Sequence, residues 1–151
     1  MELTYDNMLS FMRDYFPAFV KYGQDPKENH RLHDYFARDF DFYPYFHGIG
    51  QVTDRDVFLT QMSSHPSCRE EMEPDEIFID EQQKVVVAML DARIVDAKSG
   101  AVLVAKKYCP VYWLGLEDGR IKIKKIRFFW EQLAAGAPDV IDAFMRDARQ
   151  A

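Results

Sequence analysis

Cysteine is scarce in this chain. Only Cys68 and Cys109 occur among 151 residues, with no CxxC spacing between them. That excludes a disulfide framework and argues against a thiolate metal site. It fits a reducing compartment, so a cytoplasmic location is expected. Long apolar runs are missing as well. No stretch suffices to cross a bilayer as a helix, and no membrane is expected as a partner. Residues 1–20 carry scattered charges and no small-residue cleavage site, which reads against a secretory leader. Positive charge is in short supply: 19 Lys and Arg stand against 25 Asp and Glu, a formal net charge of −6. A phosphate-binding surface needs a basic field, so nucleic acid is not an expected partner. Nucleophile motifs, phosphate-binding glycine loops and metal-ligand motifs are also lacking. No internal repeat, low-complexity tract or linker divides the chain, which reads as one domain over residues 1–151.

What is abundant is aromatic. Rings make up 15% of the residues, with 12 Phe and 8 Tyr. That is enough to fill a core and also to line a cavity. The longest organised stretch runs over residues 84–131. Two turn signals, Asp96-Ala97-Lys98-Ser99-Gly100 and Glu117-Asp118-Gly119, divide it into three runs rich in Val, Ile, Tyr, Phe and Trp. These read as three consecutive antiparallel strands.

The rest of the chain reads as cover for that sheet. Residues 3–22 have apolar residues at helical spacing, with Thr4 as N-cap and Gly23 as stop, and with Pro17 expected to kink or split the helix. Residues 28–40 read as a second helix with Leu32, Tyr35, Phe36 and Phe40 on one face. Residues 39–49 read as a short strand, which Pro44 places at an edge or a bulge. Thr53 is expected to cap a third helix reaching about Ser63. Residues 67–74 read as a charged loop, residues 76–80 as a strand, and residues 139–149 as a last helix opened by Pro138. Helices followed by grouped strands argue α+β.

Period-2 alternation sorts the side chains of each strand. Lys106, Tyr108, Pro110, Tyr112 and Leu114 share one face, and Lys107, Cys109, Val111 and Trp113 the other. Lys122, Lys124, Ile126, Phe128 and Trp130 fall together, opposite Ile121, Ile123, Lys125, Arg127 and Phe129. Val86, Ala88, Leu90, Ala92 and Ile94 form a wholly apolar face. Asp91 and Arg93 lie opposite, as a surface ion pair or a base with its partner. Tyr43, Tyr45 and His47 alternate together on the entry strand. Histidine titrates near neutrality, so His47 is the leading acid–base candidate. His30 and His33 are spaced i, i+3 but lack a third ligand, and no metal is expected.

Four segments together resemble the nuclear-transport-factor-2-like superfamily, especially its SnoaL-like branch. They are the helix pair with FYPYF, the stretch GIGQVTDRDVFLTQM, the His65-Pro66 pair ahead of EIFID, and the ending LEDGRIKIKKIRFFWEQL. The resemblance spans nearly the whole chain. It implies a strongly curved antiparallel sheet forming a cone-shaped pocket, covered by N-terminal helices, in the cystatin-like α+β manner. It also implies a homodimer through the outer sheet face. Tyr112 falls near where ketosteroid isomerases keep a buried carboxylic acid, which turns the Tyr108/Tyr112 face inward. Tyr43-Pro44 falls where those enzymes carry a basic Asp before Pro. Ile126 or Phe128 falls where other enzymatic relatives place an acid.

Two readings stay open. One is a cofactor-independent acid–base enzyme, a dehydratase, cyclase or isomerase, acting on a small apolar ring-bearing molecule. His47 would transfer the proton, with Tyr43, Tyr108 and Tyr112 polarising oxygens and Tyr15, Tyr45, Ile126, Phe128 and Trp130 lining the pocket. The missing acids favour the other, a non-catalytic ligand-binding or dimerisation module of the same fold.

Overall fold

The computed structural model describes residues 1–46 and 50–150. The apolar face of the long strands dictates the architecture. Val86, Ala88, Leu90, Ala92 and Ile94 are each at most 3% exposed. They belong to β3 (Val85–Asp96), which pairs along its length with β2 (Cys68–Asp80). On its other side β3 meets two strands in succession, β4 (Val102–Tyr108) and β5 (Val111–Glu117). One long run was expected here. Cys109-Pro110 breaks it, because proline brings no N–H to the ladder. β6 (Arg120–Phe128) follows β5, and its continuation pairs back onto β4 through Tyr108 and Trp130. The sheet curls accordingly and is not closed.

β1 (Phe36–Pro44) lies at the edge and runs parallel to β6, so the sheet is mixed where an all-antiparallel one was expected. Its order is β1-β6-β5-β3-β2, with β4 beside β3. The edge position accommodates Pro44.

Packing against this face is α1 (Tyr5–Tyr22), with Thr4 accepting a hydrogen bond from the Asn7 amide as predicted. It buries Met8, Met12, Tyr15, Phe16 and Phe19. Pro17 does not split it. The ring sits on the exposed side, where water can satisfy the freed carbonyl. The expected second helix shrinks to a 3-10 turn, Asn29–Asp34, and Phe36 and Phe40 lie on β1 instead. Both rings are fully buried against Phe58 of α2 (Arg55–Met62), so tertiary burial overrides local helical spacing. Asp54, one residue beyond the expected Thr53, caps α2. The supposed charged loop over residues 67–74 is the first half of β2. Asp139 caps α3 (Val140–Phe144), and α4 (Arg146–Gln150) follows it.

Alternation on β6 is interrupted. Its register against β5 slips around Lys124, between Trp113/Lys125 and Leu114/Ile123. Ile121 and Ile123 therefore face the core before the slip, and Ile126 after it, all at most 3% exposed. The expected grouping of Lys122 and Lys124 with Ile126 fails because a bulge reverses parity. Ile123 is fully buried between Phe36 of β1 and Leu114 of β5. Ile123→Ala is expected to lower stability by about 2–5 kcal/mol, read from urea midpoints, whereas a loss under about 1 kcal/mol would show that this seam is not packed as described.

Candidate functional site

The curled sheet leaves a small cavity between its inner face, α1, α2 and α3. Its volume is about 50 Å³. That admits a few waters and no organic ring. Most of its wall is aromatic, with Phe42, Phe46, Phe58, Phe128, Trp130 and Phe144 among the lining residues. The oxygen-bearing side chains among its described lining residues are Glu70, Tyr15, Tyr108 and Tyr112.

Glu70 comes from β2. Cys68, Glu70 and Met72 alternate inward, while Arg69, Glu71 and Glu73 point to the other side. There Glu71 binds Arg69 at 2.8 Å and Arg93 at 2.7 Å, which fixes the register of this charged strand. Backbone hydrogen bonds add to this: the Gln24 side-chain amide donates to the Glu70 carbonyl at 2.7 Å. Glu70 is only 8% exposed. Its carboxyl accepts a 2.6 Å hydrogen bond from the Tyr108 hydroxyl, itself 1% exposed. Burial disfavours the charged carboxylate and pushes its pKa up to about 7, partly opposed by the Tyr108 hydrogen bond. Burial and the nearby carboxylate raise the Tyr108 pKa, so the phenol stays a donor at all physiological pH.

The second polar pair is Tyr15 of α1 with Tyr112 of β5. Their rings meet edge to face at 5.9 Å, and both residues are only 2% exposed. Burial raises both pKa values, and the Glu70 charge adds to each. Tyr15 also packs on Phe16, Phe19, Tyr35 and Phe36, so its position is fixed by five rings.

Of the residues singled out from sequence, Tyr15, Tyr108, Tyr112, Ile126, Phe128 and Trp130 all line this cavity. Tyr43 and Tyr45 do not. They are 38% and 54% exposed, with Tyr45 stacked on Phe129 and the Arg127 guanidinium over Tyr43. On that segment the inward rings are Phe42 and Phe46. His47 lies outside the described residues. The other histidines take no part in the cavity. His30 is exposed, His33 binds Asp56 at 2.7 Å, and His65 stacks on Phe144 with its Nδ1 3.2 Å from the Cys68 carbonyl. Asp91 and Arg93 face solvent, paired with Lys107 and Glu71. Sequence reasoning missed Glu70. The signal was present in the spacing of Cys68, Glu70 and Met72, but it needed a strand where charge and Pro74 suggested a loop. Among the described residues, no group of three or more His, Cys, Asp or Glu is arranged to hold a metal. No described helix is long and apolar enough to cross a membrane.

A curved mixed sheet, helices over its concave face and a polar pair at the bottom of an aromatic cavity can be compared directly with known folds. No protein-family profile and no curated protein sequence matches this chain. Solved structures do. An epoxide hydrolase/cyclase-like enzyme, SalBIII, with a role in pyran ring formation in the polyether salinomycin, aligns at TM-score 0.65 and 17% identity, over 86% of this chain and 95% of its own. An NTF2-like protein from Anabaena variabilis aligns at TM-score 0.62 and 18% identity, over 87% and 95%. The chain has the nuclear-transport-factor-2-like fold. A third structure with this nuclear-transport-factor-2-like fold, an LEH-like epoxide hydrolase from M. tuberculosis, aligns at TM-score 0.59 and 16% identity, over 83% and 84%. At such identities the likeness speaks to the fold, and the chemistry must be argued from the cavity itself.

The buried carboxyl has a stability signature. Glu70 ionises near 4.5 when unperturbed and near 7 in the fold, so between these values the folded chain binds the extra proton. Its contribution to stability is therefore retained below pH 4.5 and lost as pH rises to 7, by about 3 kcal/mol in total. Glu70→Gln removes that loss. Urea unfolding of both proteins from pH 4.5 to 8 should show the variant gaining on the wild type by that amount, and parallel curves would contradict the burial of an ionisable Glu70.

Proposed function

We propose that this protein is a cofactor-independent acid–base enzyme whose proton-transferring group is Glu70. It would act on a neutral, oxygen-bearing apolar molecule. The carrying observation is the pairing of Glu70 with Tyr108 in a cavity whose remaining wall is largely aromatic. A carboxyl with a pKa of about 7 is populated in both protonation states near neutrality. That is the condition for efficient general acid–base catalysis. Tyr108 positions the carboxyl. The Tyr15–Tyr112 pair offers hydroxyls to a second oxygen, or to the charge that develops on the first. Glu70 protonates an ether, epoxide, hydroxyl or carbonyl oxygen, and its carboxylate takes a proton back later in the cycle. Among the described residues the lining includes no cationic side chain, which favours a neutral substrate over an anionic one.

This moves the acid–base role from His47 to Glu70 and keeps Tyr108 and Tyr112 in the site. It also answers the missing acids at Ile126 and Phe128, since the carboxyl comes from β2 instead. The epoxide hydrolase and cyclase chemistries named for structural neighbours fall within this class. The second reading, a non-catalytic binding module, is favoured by the apolar Ile126 and Phe128 in the lining, and like the enzyme it requires the cavity to widen beyond its volume of about 50 Å³.

The two readings separate in one assay. A panel of cyclic epoxides, hydroxy-ketones and enones is incubated with wild type and Glu70→Gln, with products followed by mass spectrometry. The expected outcome is turnover by wild type that falls as pH rises through about 7, and a loss of 10²- to 10⁴-fold in the variant. Binding without turnover supports the module, and equal turnover in the variant removes Glu70 from the chemistry.

A further inference from the structure

The small cavity adjoins an outer recess of about 490 Å³, lined by Tyr45, Phe46, Trp130, Gln132, Asp139 and Ile141. Phe46 and Trp130 line both spaces. Their rings stack with centroids 3.6 Å apart and 12° from parallel. This pair of stacked rings is thus shared between the outer recess and the cavity that holds Glu70.

The two rings are held very differently. Trp130 is anchored on its backbone, which bridges to Tyr108 of β4. The Lys106 ammonium also lies 4.0 Å from the Trp130 ring centre. Two groups so close to one ring centre must take opposite faces, so the indole is sandwiched between Lys106 and Phe46. Lys106 is itself fixed. Its side chain is 1% exposed and its Nζ donates to Asp139 at 2.7 Å. Phe46, by contrast, lies beyond the end of β1, one residue after the Tyr45 amide that donates to the Phe128 carbonyl. Its ring is held by stacking on Trp130 and an edge contact with Phe128 at 5.9 Å.

We infer that the face of Trp130 now covered by Phe46 is a docking subsite for a planar, unsaturated ring of the ligand. The ring enters from the outer recess and takes the place of Phe46. This inference rests on the reading that the Glu70 cavity is the chemical end of the site. Phe46 is the subsite's built-in occupant, and its displacement supplies the volume that the small cavity lacks. A flat unsaturated ring can cover the open face of the indole as Phe46 does, which favours it there over a saturated one. The subsite also sets the ligand's length. The Tyr108 ring packs beside Trp130 at 5.8 Å and its hydroxyl meets Glu70. A ligand with a ring on Trp130 and an oxygen on a short arm would extend that oxygen toward the carboxyl.

The test uses 4-nitroanisole, a neutral planar quencher, in a Trp113→Phe background, where Trp130 is the remaining tryptophan. Saturable quenching of Trp130 emission reports the subsite. Phe46→Ala removes a competing stacked ring and should tighten binding by between about two- and tenfold. Phe46→Leu should lie between alanine and wild type, and it carries the test if the alanine variant does not fold by circular dichroism. Methyl cyclohexyl ether, similar in size but saturated, should not compete. Unchanged or weaker binding in the Phe46 variants, or competition by the saturated ether, overturns the inference. Glu70 turnover data speak to the carboxyl and the Phe46 series to the ring subsite, so each can fail alone.

Discussion

The structure turns on one desolvated carboxyl. A glutamate with an 8% exposed residue surface is costly in an apolar surround unless it is neutral or hydrogen-bonded. Glu70 is both in part: Tyr108 donates to it, and burial raises its pKa to about 7. Every element near it is arranged around that compromise. β2 turns the side chain inward by alternating Cys68, Glu70 and Met72, and balances the outward charges among Arg69, Glu71 and Arg93. β4 brings Tyr108, and α1 with β5 brings the Tyr15–Tyr112 pair.

The curl of the sheet makes this convergence possible. A flat sheet would put β2 and the end of β6 far apart. Two local interruptions bend it: the break at Cys109-Pro110 and the slip at Lys124. The first hands β3 from β4 to β5. The second turns Phe128 and Trp130 toward the cavity after Ile121 and Ile123 have filled the core. Irregularities of this kind add twist and re-aim side chains. Here they place Trp130 against Tyr108, whose hydroxyl donates to the Glu70 carboxyl.

Much of this was legible in the residues. The alternation Tyr108, Pro110, Tyr112, Leu114 marks a buried face, and the structure buries all four. The Asp118-Gly119 turn and the Thr4 cap stand where the chain signals them. Other features were hidden for physical reasons. Phe36 and Phe40 sit at helical spacing, yet burial against Phe58 draws them into a strand. Alternation on the entry strand was visible, but not which set faces in, and the phenols of Tyr43 and Tyr45 drew attention from Phe42 and Phe46. Glu70 was disguised by the charges beside it, since nothing local says that a strand of Glu and Arg has one buried carboxyl. The bulge at Lys124 is invisible to a strict period of two.

The proposed acid–base site stands or falls on the protonation of Glu70. Carbon-13 NMR of the glutamate side-chain carboxyls, with the Glu70 resonance assigned by its loss in Glu70→Gln, measures it directly. A titration midpoint near 7 is predicted. A midpoint near the ordinary 4.5 would mean that the carboxyl is solvated as any surface glutamate, and the acid–base site proposed around it would not exist.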